Sequence, residues 1–156
     1  DVQTFVNALD TMFGGFRERA DLTYALLKEG GTAFVVVAAP ERDALREASY
    51  FVARLEQEGM PLAGVVVNRM QPAAAAGLSA TRARAAAEQL QESGRTAAAA
   101  TLTLHADVSE LAARHHNLVR RFAAGHPRIA VVEVASLAQD VHDVDGLREV
   151  GRRLAG

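Results

Sequence analysis

Thr32-Ala33-Phe34-Val35-Val36-Val37-Ala38-Ala39-Pro40-Glu41 and Leu62-Ala63-Gly64-Val65-Val66-Val67-Asn68-Arg69 are two short valine-rich runs, and together they decide the fold. Each is apolar at nearly every position instead of at alternate ones, which is the pattern of a strand buried on both faces of a parallel sheet. Pro40 closes the first run, because proline has no N–H to continue a ladder. Between the two, residues 41–58 place Leu45, Ala48, Val52 and Leu55 on one face of a helix, and Gly59 and Pro61 end it. A strand, a helix and a strand in so short a span form a βαβ unit with parallel strands.

The reading extends in both directions. Upstream, Val2, Phe5, Val6, Leu9, Met12, Phe13, Phe16, Ala20, Tyr24 and Leu27 recur at intervals of three and four. They predict one amphipathic helix over residues 2–29, with Gly14-Gly15 marking a kink or a close helix contact and Gly30-Gly31 ending it. Downstream, residues 70–127 are a long helical excursion. Gln71-Pro72 and the alanines of 73–76 read as a loop, and Ser79 as the N-cap of a helix over 80–92 that Ser93-Gly94 ends. A second helix over 101–124 carries Leu104, Val108, Leu111, His115, Leu118 and Phe122 as its packing stripe. A third strand spans 128–134, a loop 135–144, and a last helix starts near Asp145, which reads as its cap. The expected fold class is α/β, a three-layer open parallel sheet with three parallel strands and flanking helices in one domain over 1–156.

Composition narrows the function. With 49% hydrophobic and 23% charged residues, the chain has globular rather than disordered composition. Its 17 basic and 19 acidic residues give a net charge of -2, which lacks the electrostatic footprint of a nucleic-acid binder. The absence of cysteine rules out disulfides, thiolate zinc sites and a cysteine nucleophile, and fits a reducing, cytoplasmic setting. No apolar run approaches the roughly 20 residues that span a bilayer, so no transmembrane segment is expected. Lys28, the only lysine, sits in the helix end Leu26-Leu27-Lys28-Glu29-Gly30, so these residues contain no P-loop. The chain begins at Asp1 inside a helical pattern and reads as a fragment of a longer protein.

Ligands of open α/β sheets bind beyond the carboxyl ends of the strands. The candidate site residues are therefore Pro40 and Glu41, Asn68 and Arg69, and Ala135, Ser136 and Leu137. Asn68 ends a solidly apolar strand with an amide whose acceptor and donors complement the N6–H and N7 edge of adenine. It reads equally as a turn residue. Pro40-Glu41 also serves as simple helix initiation, with the glutamate at the positive end of the helix dipole. His115 and His116 are helical neighbours that point apart, and His105 is more than two turns away, so no metal site is expected. No Ser/His/Asp set has the context of a nucleophile elbow, and no catalytic residue is assigned.

The segments Thr32–Glu41, Leu45-Arg46-Glu47 and Gly59–Arg69, with the tail Val134–Arg148, resemble the anion-transporting ATPase family of the deviant Walker A P-loop class. These are the arsenical-pump-driving and tail-anchored-protein-targeting ATPases, and the likeness is to the bacterial type. The order is apolar strand, Pro-Glu, helix, Gly-x-Pro-Leu, apolar strand, Asn-Arg. The resemblance implies that this chain is the C-terminal, adenine-side portion of a P-loop ATPase domain whose N-terminal P-loop half lies upstream. It implies ATP/ADP and Mg²⁺ as cofactors of the parent protein, with none tightly bound to this chain, which alone is expected to be inactive. By the same resemblance Asn68 matches the adenine-reading asparagine, Pro40-Glu41 the pair beside the nucleotide, and Ala135–Asp140 the loop covering the base. The implied partners are the missing half, a second subunit in a homo- or heterodimer, and an unknown client or membrane protein. Two departures stand out: Ala135 replaces a proline frequent in the family, and the zinc-binding Cys-x-x-Cys pair of eukaryotic members is absent. The rival reading is a non-enzymatic α/β scaffold or regulatory module. A flavodoxin-like or receiver domain fits less well, since a receiver wants acidic residues and a lysine at its strand ends.

Overall fold

The computed structural model describes residues 2–73, 75 and 77–155, and the side chains of 15–73, 75 and 77–154. Eight elements follow in order: α1 (Val2–Lys28), β1 (Phe34–Ala38), α2 (Arg42–Gln57), β2 (Leu62–Met70), α3 (Ala80–Glu92), α4 (Thr96–Gly125), β3 (Val131–Ala135) and α5 (Val144–Ala155). The three strands form one parallel sheet in the order β1-β2-β3, so β2 is central. The fold is α/β, an open three-stranded parallel sheet flanked by helices. Among the described residues, no helix is long and apolar enough to cross a membrane.

The core lies on one side of this sheet. Leu45, Ala48 and Val52 of α2 and Val119 and Phe122 of α4 close over Val65, Val67 and Met70 of β2, with Val36, Ala38 and Val131 beside them. Val52 and Val67 are completely buried. The opposite face is different. Val134 is buried beneath α5, but Val35 and Val37 of β1 are 55% and 64% exposed. Burial of the strands on both faces was the sequence expectation, and for β1 it is corrected. Its composition suits a two-sided strand, yet α2 and α4 lie on one side and no described helix covers its other side.

The helix ends follow local chemistry. α2 stops in a Schellman turn: Gly59, at φ +66°, donates its N–H to the Glu56 carbonyl at 3.1 Å, and Met60 donates to Leu55 at 2.9 Å. α3 repeats it with Gly94 at φ +73°, Gly94 N–H to Gln91 and Arg95 N–H to Leu90. Ser79 caps the start of α3 by accepting the Arg82 N–H at 3.3 Å, as its position predicts. At α5 the cap is Asp143, whose Oδ1 accepts the Gly146 N–H at 2.7 Å. Asp145, the residue expected there, instead pairs with Arg148 at 2.7 Å.

Three further differences have physical reasons. α4 begins at Thr96, ahead of the expected 101, because the alanines of 97–100 are strong helix formers. Its buried stripe is Ala99, Ala106, Ala112, Val119 and Phe122, while Leu104 is 63% exposed. The N-terminal half of α4 meets α3, which buries Ala83 and Ala87, and small side chains let the two helices approach closely. Arg84 joins them, donating to both Glu110 carboxylate oxygens at 3.0 and 2.8 Å and to Asp107 at 2.9 Å. β3 starts at Val131 instead of 128, after a turn in which Ile129 N–H bonds to His126 O.

α1 runs unbroken through Gly14-Gly15. Its side chains from Phe16 to Lys28 are exposed apart from Leu27. It meets the rest of the chain through Tyr24, whose hydroxyl donates to Glu58, and Lys28, 3.8 Å from the same carboxylate. The apolar stripe expected at Val2, Phe5, Val6, Leu9, Met12 and Phe13 falls outside the described side chains. Between β2 and β3, Gly64 has no room for a side chain. A Cβ there would sit 2.8 Å from the Ala130 carbonyl oxygen, which also accepts the Val65 N–H at 2.8 Å.

Candidate functional site

The carboxyl end of the central strand is irregular. Val67 pairs with Glu133 and Met70 with Ala135, so three residue steps on β2 run beside two on β3. That is a β-bulge at Asn68-Arg69. Its effect on side-chain direction is visible in burial: Val67 and Met70 are both in the core although three residues apart, and Asn68 and Arg69 are both exposed. An unbroken strand would send Arg69 into the core and Met70 out. Arg69 adopts φ +62°, the left-handed region that non-glycine residues seldom occupy, and its N–H donates to Asn68 Oδ1 at 2.8 Å. The asparagine side chain therefore satisfies the bulge it sits in and keeps its Nδ2 donors for other partners.

A cleft of about 530 Å³ opens at this bulge. Asn68, Arg69, Ala135, Ser136 and Leu137 all line it, so five of the seven residues expected from sequence meet in one place. The volume falls within the roughly 300–1,000 Å³ typical of small-molecule sites. Gln139, Asp140, Val141 and His142 continue the wall, and Val150 of α5 forms part of it. The loop begins rigidly: Ser136 N–H donates to the Met70 carbonyl at 2.8 Å, extending the ladder one residue past β3. Arg153 of α5 donates to the Ala135 carbonyl at 3.2 Å. Arg153 is in turn held by Glu149 at 2.9 Å, and Arg153 and then Arg152 hold the Glu149 carboxyl below its usual range.

Pro40 and Glu41 do not join this cleft. They sit at the end of β1, one strand over, where Pro40 is buried and Glu41 is the N-cap residue of α2. Glu41 makes no capping hydrogen bond with its side chain, and its N–H turns back to the Ala39 carbonyl at 2.8 Å. A larger groove of about 710 Å³ lies between α3 and α4. It is away from every strand end, and its guanidinium, Arg84, is already engaged, so the smaller cleft is the better candidate.

Four of the five histidines have structural partners. His105 Nε2 is 2.9 Å from the Leu78 carbonyl, His116 Nδ1 is 3.0 Å from Glu133, and His126 Nε2 is 3.0 Å from Ser49. His115 Nδ1 accepts the Gln71 N–H at 3.1 Å, just past the bulge. Among the described residues, no group of three or more acidic or histidine side chains is placed to hold a metal. Sequence reasoning missed the bulge and the His115 contact. The signal for the first was present: apolar Val67 and Met70 flanking two polar residues break the alternation of a strand.

No protein-family model matches the chain. No curated protein matches it either.

Proposed function

We propose that this chain is the adenine-side half of an ATP-binding, ATP-hydrolysing domain, the C-terminal portion of a P-loop ATPase of the anion-transporting type. The observation that carries the reading is the bulge at Asn68-Arg69. It presents an asparagine amide with free donors at the carboxyl end of a central parallel strand, in a cleft shared with the loop after β3. The asparagine amide fits a purine edge, and the described cleft has no lysine or glycine-rich loop to cradle a triphosphate. Lys28, the one lysine, is at the opposite end of the sheet beside Glu58. Phosphates and Mg²⁺ would be held by a segment outside these residues, and this chain alone would not turn over ATP. The uncovered Val35 and Val37 and the free edge of β1 support a further partner, either the P-loop half or a second subunit. Coupling of hydrolysis to ion transport or protein targeting belongs to the parent protein in this reading.

The same uncovered face favours the rival, a non-enzymatic scaffold that docks another protein there. The test is ADP binding by the protein encoded by the whole reading frame, measured calorimetrically with and without Asn68→Ala. Binding weakened about 5- to 150-fold by the substitution is the expected result, since a good polar contact to a base edge is worth about 1–3 kcal/mol. An upstream frame with no Gly-Lys-Ser/Thr loop, or a protein blind to ADP, overturns the ATPase reading and leaves the scaffold.

A further inference from the structure

Besides the packing of Met70 beneath α4, the end of β2 makes one side-chain contact with the helical layer that depends on protonation. Gln71 is the first residue after the strand, and its N–H reaches His115 Nδ1 at 3.1 Å across the two elements. A ring nitrogen that accepts an N–H must carry no proton, so His115 is the neutral tautomer with its proton on Nε2. Adding a proton to Nδ1 sets one donor against another and removes the bond. Gln71 directly follows Met70, the core residue that with Val67 brackets the bulge, where the ladder to β3 is interrupted, so the His115 bond adds to the anchor on that side. Asn68 and Arg69 are thus bounded on one side by Val67, fixed in the core, and on the other by Met70 and Gln71.

We propose that His115 is a positioning residue for the strand-end cleft: its neutral imidazole fixes the Asn68-Arg69 bulge through Gln71, and its protonation releases the bulge and weakens ligand binding. The charged groups around it come from three elements. Arg114 and His116 lie on α4 itself, Glu41 faces it from the start of α2, and Glu133 of β3 engages His116. Burial lowers the His115 pKa most, Arg114 and then His116 add to this, and Glu41 opposes them. The neutral form is therefore favoured at neutral pH. The bond is complete above the ordinary histidine range and is lost as pH falls through the lowered value in the folded chain.

The test is the exchange protection of the Gln71 amide, followed by NMR from about pH 8 to about pH 5, the range in which histidines titrate. Protection is corrected for intrinsic exchange, and the His115 ring is monitored in parallel. In the unaltered chain, protection should fall about tenfold as the ring titrates. His115→Asn places a non-titrating oxygen where Nδ1 was and should hold protection constant across the range. His115→Leu should remove it at every pH. Protection that ignores the titration of the ring, or that survives in His115→Leu, overturns the proposal.

The ligand arm rests on the adenine reading and uses adenosine as probe on the protein encoded by the whole reading frame. Its affinity should follow Gln71 protection in the unaltered chain and become independent of pH in His115→Asn. Adenosine bound equally at all pH values despite a working switch overturns the role of His115 at the cleft. A working switch with adenosine bound at no pH upholds the positioning of the bulge and overturns the adenine reading instead.

Discussion

Deleting Arg69 separates what the core needs at the end of β2 from what the cleft needs. In the folded chain, Val67 to Met70 spans three steps beside the two from Glu133 to Ala135. Without Arg69, Val67-Asn68-Met70 lies beside Glu133-Val134-Ala135 as a regular ladder, and Met70 still faces the core. The deletion loses the exposed bond from Arg69 N–H to Asn68 Oδ1, a contribution of about 0.5–1.5 kcal/mol. It also removes a non-glycine residue from φ +62°, a conformation that costs roughly 1–2 kcal/mol. The two offset, so stability should change by no more than about 1 kcal/mol, or about 2–4 °C in Tm for a domain of this size. Urea and thermal unfolding measure the first quantity. Adenosine-induced NMR shifts at Ser136 and Leu137 measure the second, and these should disappear, because Asn68 is then locked in the ladder and Arg69 is gone. A stability loss above about 3 kcal/mol would show that the core requires the bulge. Unchanged adenosine shifts would show that the bulge is not the recognition element.

Two other substitutions probe the scaffold. Ser79→Ala removes the cap on Arg82 N–H and should destabilise the chain by about 1 kcal/mol; an unchanged urea midpoint would remove Ser79 from that role. Val37→Lys alters a side chain that is 64% exposed, so stability should shift by under about 0.5 kcal/mol. Self-association, expected from the uncovered sheet face and followed by light scattering, should fall in that variant. A clean monomer at high concentration before substitution would refute this use of the face.

The sequence made the elements legible wherever a local signal was strong. The valine runs gave β1 and β2, Gly59 and Gly94 the helix ends, and Ser79 the start of α3, because each rests on chemistry within one turn of chain. The strand-end rule then gathered Asn68, Arg69, Ala135, Ser136 and Leu137 into one cleft. What escaped depended on tertiary contacts. The burial of Ala106 and exposure of Leu104 follow from where α3 lies, and periodicity alone favours the larger side chain. Pro40-Glu41 ends a neighbouring strand, but the cleft opens between β2 and β3. A valine cannot report whether its outer face is covered, so β1 read as buried on both sides. Asp143 and Asp145 are equally good caps by type, and the choice between them is set by where the loop enters α5.

The long excursion between β2 and β3 bears on the order in which the chain assembles. β1, α2 and β2 are close in sequence and can pair early, whereas β3 must return across everything from Gln71 to Ala130. Closing a flexible loop costs only about 0.6 kcal/mol more for each doubling of its length. A loop already folded into the α3–α4 hairpin is shorter still, since the alanine contacts and the Arg84 bridge form within it. The hairpin is then a spacer that brings β3 within reach of β2, and the close approach of Ala130 to Gly64 is possible because no side chain stands in the way. The cleft needs β3, its loop and the bulge together, so on this topology it should be complete only once β3 has docked on β2.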